Sequence, residues 1–364
     1  MKKLILVCSA LLIGSFSVSA MQQTTLDKHR GDTSYQNHEE RIKKMESHLQ
    51  LDNCYYDHLS SYAANMYLNA EFLYWAAENE GFYVGSSAPG DSPPFTEIYR
   101  DFDYGPGVRI GLGFKPPIDW DLYLSWTYFK NTSKEKFAGE LLMFNTPVRP
   151  LGRIESSLTI KYNILDLEFG RPYHIGQTFS VRTHVGLRGG WIKNNGRNDG
   201  YDAAAPTPSD QYSPTYFSFK EKYWLIGPRA GFAADLFFSK DYGFSLYGNF
   251  SGALMYGKLN SNFITVWTNY PALDLAYFGP IIISDKNDVL ANMQCALGLA
   301  WGDFITDDDS VALCIRAGWE FNYWWDMYNP REYFWFESDG DTSLQHITEA
   351  MYLQGLVVSA RLDF

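Results

Sequence analysis

Between residues 66 and 364 apolar side chains recur at every second position in ten separate stretches, and this period of two constrains the chain more than any other feature. In residues 66–77, Met66, Leu68, Ala70, Phe72 and Tyr74 share one face, with Asn69 and Glu71 on the other. Residues 104–115 set Val108, Ile110, Leu112 and Phe114 against Arg109, Gly111 and Gly113. Residues 119–130 are the cleanest, with Trp120, Leu122, Leu124, Trp126 and Tyr128 opposing Asp121, Ser125 and Thr127. In 154–170 the phase changes: Ile154, Leu158, Ile160 and Tyr162 are followed by Leu165, Leu167 and Phe169, which predicts a bulge near Ile164. Further stretches lie at 178–193, 217–238, 243–258, Val289–Trp301, Val311–Tyr323 and 348–364.

The connections alternate short and long in strict order. Short ones fall at 115–118, 171–177, 239–242 and 302–310, and long ones at 78–103, 131–153, 194–216, 259–287 and 324–347. A soluble sandwich also alternates, but it has no reason to sort its loops by side of the molecule. Outer-membrane barrels do: short periplasmic turns, long external loops, an even strand number and apolar-out alternation. The expectation is an all-β, transmembrane, antiparallel up-and-down β-barrel of about ten strands. Twelve is the alternative, since Phe263–Trp267 could supply part of an extra hairpin.

Composition agrees with this and removes other classes. The chain is 46% hydrophobic, yet no second long apolar run follows Leu4–Val18, so a polytopic helical membrane protein is excluded. Leu4–Val18, behind Lys2 and Lys3 and before Val18-Ser19-Ala20, has the form of a cleaved secretory signal at residues 1–20. Without it the chain carries 28 basic and 42 acidic residues, a formal charge near −14, which argues against nucleic acid as a partner. Residues 21–65 form a separate polar periplasmic segment. Within it Ile42, Met45, Leu49, Asp52, Tyr56 and Leu59 follow a spoiled heptad, readable as a coiled coil or plug, or as a solvated helix or disordered tail. Cys54, Cys295 and Cys314 remain after the signal; alternation sets Cys295 outward and Cys314 inward, so these two should not pair.

The inward face collects Glu71, Arg109, Asp121, Lys161, Arg182, His184, Arg188, Arg229, Asp235, Arg316, Glu320 and Arg361, a set that leans basic. It reads either as a charged lumen biasing ions and small hydrophilic solutes or as a self-neutralising network filling a narrow barrel. Trp75, Trp120, Trp191, Trp301, Tyr323 and Trp324 lie near segment ends, where aromatic girdles form. Chemistry-bearing motifs are weak. His346 near Asp339 and Asp341 lacks a geometric partner, and Asp307-Asp308-Asp309 reads as a charged turn rather than a cation site. No catalytic residue, cofactor site or metal site is expected, and the chain is not expected to be an enzyme. The last long loop carries Trp325, Tyr328, Tyr333, Phe334, Trp335 and Phe336, an aromatic cluster suited to binding surfaces if the barrel is structural or adhesive.

Several stretches resemble one family in order along the chain. They are Ala70-Glu71-Phe72-Leu73-Tyr74-Trp75, Pro106-Gly107-Val108-Arg109-Ile110-Gly111-Leu112-Gly113, Asp119-Trp120-Asp121-Leu122, Asp166-Leu167-Glu168-Phe169-Gly170-Arg171, Gly186-Leu187-Arg188 and Arg361-Leu362-Asp363-Phe364. From about residue 66 onward the chain is similar to the Legionella-type major outer membrane protein family, found also in chlamydia-related bacteria. The resemblance implies a pore-forming barrel of the bacterial outer membrane in contact with its lipid, with a homo-oligomer as one option, and lends no catalytic residues. Terminal Phe364 resembles the signal read by the barrel-assembly machinery. Ten strands after a cleaved signal place both termini in the periplasm.

Overall fold

The computed structural model describes residues 66–364, apart from 80–82, 88–95, 117–119, 144–150, 177, 203–214, 239–242, 269–275, 307–309, 329–330, 336–341 and 347–348. The expected signal at residues 1–20, the segment 21–65, Cys54, Asp307–Asp309, Asp339, Asp341 and Phe336 lie outside the described residues. The strands are β1 (Met66–Asn79), β2 (Tyr83–Ser87), β3 (Thr96–Tyr99), β4 (Gly105–Phe114), β5 (Asp121–Met143), β6 (Leu151–Ile175) and β7 (Phe179–Asp202). They continue as β8 (Thr215–Phe237), β9 (Phe244–Thr268), β10 (Ala276–Phe304), β11 (Ala312–Tyr328), β12 (Arg331–Trp335), β13 (Thr342–His346) and β14 (Glu349–Asp363).

Twelve strands form one antiparallel sheet, and ten of them close into a ring. Around the ring run β1, β4, β5, β6, β7, β8, β9, β10, β11 and β14, with β14 paired back to β1 from Tyr67↔Asp363 to Asn79↔Met351. The two additional strands, β2 and β3, are a hairpin laid against the end of β5 through Gly85↔Met143 to Ser87↔Leu141. Phe263–Trp267, the source of the twelve-strand alternative, is continuous strand within β9. Closure at the termini is completed by the Phe364 amide donating to the Met66 carbonyl at 3.0 Å.

The expected long loops are mostly strand. β5 to β10 run 23 to 29 residues each, which at ~3.3 Å per residue is about 75 Å or more of strand. Inclined by ~40°, such a wall stands roughly twice as tall as the ~25 Å apolar band of an outer-membrane barrel. The segments 131–143, 194–202 and 259–268 continue the ladder beyond the alternating apolar face.

Along this height the apolar face changes sides. On β6, Leu165 and Phe169 point out and are exposed, while Asp166 and Glu168 are buried inside. Beyond Ile164 the order reverses: Ile154, Leu158, Ile160 and Tyr162 are buried inside while Glu155, Ser157, Thr159 and Lys161 face out. Pairing to β7 runs without a register shift from Arg153 to Ile175, so the change of phase near Ile164 is not a bulge. It is a change of solvent. Where lipid surrounds the wall the apolar side chains face out; where water does, they face in, as in a soluble barrel. β8 inverts at the same level, from outward Ile226 and Trp224 to inward Leu225, Tyr223, Phe219 and Phe217.

Candidate functional site

Inside the lipid-level part of the bore, buried arginines and carboxylates form a continuous network. Arg182 on β7 donates to both oxygens of Asp121 on β5, at 2.7 and 2.5 Å, and to Glu168 on β6 at 3.0 Å. Glu168 also accepts from Arg229 on β8 at 2.6 Å, and Arg229 stands 3.2 Å from Asp166. Arg188 holds Asp166 through two hydrogen bonds of 2.6 and 2.8 Å and reaches across to Gln294 on β10 at 2.6 Å and to Asn292. The Gln294 amide donates to Glu320 at 2.8 Å; Arg109 clamps Glu320 from β4 at 2.9 and 3.0 Å and reaches Glu71 at 2.6 Å. These paired, charge-assisted bonds are the strong type, and they satisfy charges that burial would otherwise penalise.

Toward the short-turn end the network continues through Arg361 and Lys115, which share Asp363 at 2.6 and 2.9 Å, and through Arg316, 3.4 Å from Asp235. Arg361 also lies over the Tyr67 ring at 3.7 Å, a cation–π contact.

Above the network the bore is crossed by aromatic rings. Trp75 and Trp324 are 0% exposed and Tyr162 1%. The Tyr162 ring lies 6.1 Å from Trp324 and 6.4 Å from Trp75, and Trp75 lies 5.6 Å from Phe129. Tyr162 also accepts a hydrogen bond from Asn322 at 3.1 Å. Since β6 and β11 are five strands apart in a ring of ten, this bond joins opposite walls. Further apolar packing by Leu158, Tyr223, Leu225, Met255, Leu290 and Leu353 fills the same level.

Eleven of the twelve expected lining residues face inward, and Lys161 does not. It lies on the outer face between buried Ile160 and Tyr162, level with outward Lys130, because alternation is unbroken through β6. Trp75 and Trp324 leave the expected girdle for the same reason: each follows an outward neighbour, Tyr74 or Tyr323, so a strict period of two sends it inside. Trp120 and Trp191 are exposed on the wall as expected. Cys295 and Cys314 occupy opposite faces, outward and inward.

The basic lean of the lumen is also corrected. Asp166, Glu168 and Asp363 were missed, although Asp166 and Glu168 alternate with Leu165, Leu167 and Phe169 and could have been read inward. With them and Lys115, seven carboxylates (Glu71, Asp121, Asp166, Glu168, Asp235, Glu320, Asp363) face seven strong bases (Arg109, Lys115, Arg182, Arg188, Arg229, Arg316, Arg361). His184 is added to these, 3.9 Å from Glu168. Some buried polar atoms at successive levels have no hydrogen-bond partner among the described residues: both His184 nitrogens, Trp75 Nε1, Trp324 Nε1, Asn194 Oδ1 and Asn198 Nδ2. Among the described residues no His, Cys, Asp and Glu group is arranged to hold a metal ion. His346 ends β13, opposite Arg331 of β12.

The outer membrane protease OmpT from Escherichia coli aligns at 9% identity over 82% of this chain and 96% of its own, with a TM-score of 0.42. The translocator domain of the autotransporter NalP from Neisseria meningitidis aligns at 10% identity over 92% and 98%, with a TM-score of 0.30. A Pseudomonas aeruginosa FadL homologue aligns at 8% identity over 82% and 90%, with a TM-score of 0.25. No curated protein matches the chain. The family model described as Legionella pneumophila major outer membrane protein precursor matches residues 60–363, the whole of the ring and its hairpin. The chain is therefore an outer-membrane β-barrel that belongs to the Legionella pneumophila major outer membrane protein family.

Proposed function

We propose that the chain is a porin of narrow, gated bore, passing ions and small hydrophilic solutes rather than serving as a wide diffusion channel. The observation that carries this is the set of buried polar atoms with no hydrogen-bond partner among the described residues, at His184, Trp75, Trp324, Asn194 and Asn198. Buried groups of this kind are normally satisfied by ordered water, so they mark a hydrated path beside the ion-paired network. The aromatic level would then act as a constriction that gates by dewetting. In this reading residues 1–20 are a cleaved signal, both termini are periplasmic, the long-loop end faces the exterior and Phe364 serves barrel assembly. The chain performs no catalysis, and its partners are membrane lipid, the assembly machinery and, optionally, further copies of itself.

A second reading is favoured by the Tyr162–Asn322 bond between opposite walls and the full burial of Trp75 and Trp324. On it, the barrel is a sealed structural or adhesive element that acts through its external end. Planar-bilayer recording of the refolded protein decides between them. Brief, small conductance steps are the expected result, and a membrane without steps above background, at all voltages, overturns the porin reading.

A further inference from the structure

The outer wall carries a row of four lysines in mutual register: Lys130 on β5 opposite Lys161 on β6, Lys161 opposite Lys193 on β7, and Lys193 opposite Lys222 on β8. All four face outward. Like charges directly opposite one another destabilise a sheet. Their neighbours two residues away on the same strands and face are Tyr128, Thr132, Thr159, Asn163, Trp191, Asn195, Lys220 and Trp224, none of them acidic. Among the described residues none of the four lysines has a carboxylate within ion-pair distance, whereas Lys136, Arg197 and Lys258 on the same wall are paired with Glu155, Asp199 and Asp285. Nothing among the described residues offsets the repulsion, which leaves the row open to an external anion.

The level of the row identifies what that is. It lies one step beyond the aromatic row Tyr128, Trp191 and Trp224, whose rings suit the headgroup zone. It also coincides with the inversion of the apolar face: Leu165 and Ile226 face lipid on one side of it, and Ile160 and Phe219 are inside the bore on the other. Lysine stems can lie along the apolar wall while the ammonium groups reach the interface. Four strands spaced ~4.8 Å apart set the ends of the row about 14 Å apart.

We propose that this row binds the phosphate groups of a phosphorylated lipid headgroup in the leaflet surrounding the long-loop end. The assignment of that leaflet as external rests on the orientation given above, but binding does not depend on the bore conducting.

The test uses full-length protein refolded in detergent and hexa-acylated diphosphoryl lipid A as probe, with binding read by native mass spectrometry and by the rise in unfolding temperature. One lysine at an anionic surface is worth about fivefold in affinity, so the quadruple variant Lys130→Gln, Lys161→Gln, Lys193→Gln, Lys222→Gln should lose at least tenfold. The corresponding quadruple Arg variant should retain binding, and both should show the heat-modifiable gel shift of folded barrel. Lys286→Gln, which removes a lysine paired with Asp288 on β10, should bind as wild type. Dephosphorylated lipid A should bind at least tenfold more weakly. Equal binding by the Gln variant, or equal binding of the dephosphorylated lipid, overturns the proposal. So does full competition by inorganic phosphate at matched concentration, which would assign the row to free anions, or a change confined to oligomeric state, which would assign it to a second copy.

Discussion

Replacing Trp324 by alanine tests whether the aromatic level closes the bore. Trp324 is fully buried, packs edge-on against Tyr162 and brings a β11 ring to the Trp75–Phe129–Tyr162 group. Truncating a packed tryptophan costs ~3–5 kcal/mol from lost burial and the cavity left behind. The indole Nε1 has no hydrogen-bond partner among the described residues, and on the hydrated path proposed above water serves it, so no unmet donor offsets that cost. The expected net destabilisation is therefore ~3–5 kcal/mol, measurable by guanidinium unfolding in detergent. The β11 ladder to β10 and β14 does not involve the side chain, so the barrel still forms. In planar bilayers the variant should open more often and to larger steps than wild type. Trp319→Ala, which removes an outward ring from the same strand, should leave conductance unchanged. A folded Trp324→Ala barrel with wild-type conductance would refute the reasoning, because the constriction would then lie elsewhere.

Three other outcomes follow from the geometry. Arg188→Gln leaves Asp166 with Arg229 at 3.2 Å as its remaining ion-pair partner and should cost ~3–5 kcal/mol in unfolding, with Asp166→Asn added to it recovering at least half; a loss below 1 kcal/mol would show the pair to be solvated. Arg182→Gln strips Asp121 of its bidentate partner, so the reversal potential across a salt gradient should move toward cation selectivity, and an unmoved potential would take Arg182 out of the ion path. Gly355 has a φ of +156°, and a Cβ there would meet the Tyr74 carbonyl oxygen at 2.1 Å; Gly355→Ala should lower the yield of heat-modifiable folded barrel, and a normal yield would show that the β1–β14 seam can part locally.

Much of the ring was legible because lipid enforces a period of two. Leu124, Trp126, Leu187, Ile226 and Phe232 are all outward and exposed, as their alternation requires. What the pattern could not show was where each strand ends. Residues 131–143 carry lysines and small polar groups on the outer face, which look like loop, yet backbone pairing to β6 continues to Leu141↔Leu151. Hydrogen bonding does not stop where hydrophobic exposure stops. The bore was half legible for a related reason: residue type alone does not report the side. Trp75 was assigned to a girdle by being a tryptophan near a segment end, while the phase set by Phe72 and Tyr74 already sent it inside.

The change of phase on β6 joins these observations. A bulge would have turned the strand and moved one residue out of register; the ladder from Arg153 to Ile175 shows neither. The same strand serves two solvents in succession, so its apolar residues must switch faces without the backbone switching anything. Wherever the switch occurs, the interior changes from mainly charged to mainly apolar, because a wall that can no longer place its Leu and Phe toward lipid must bury them inward. Network, aromatic rings and outward lysine row therefore meet at one level, set by the edge of the lipid. A mainly apolar upper bore, with Arg100, Asn194, Asn198 and Glu221 buried in it, above a charged lower one follows from building a barrel taller than the membrane it crosses.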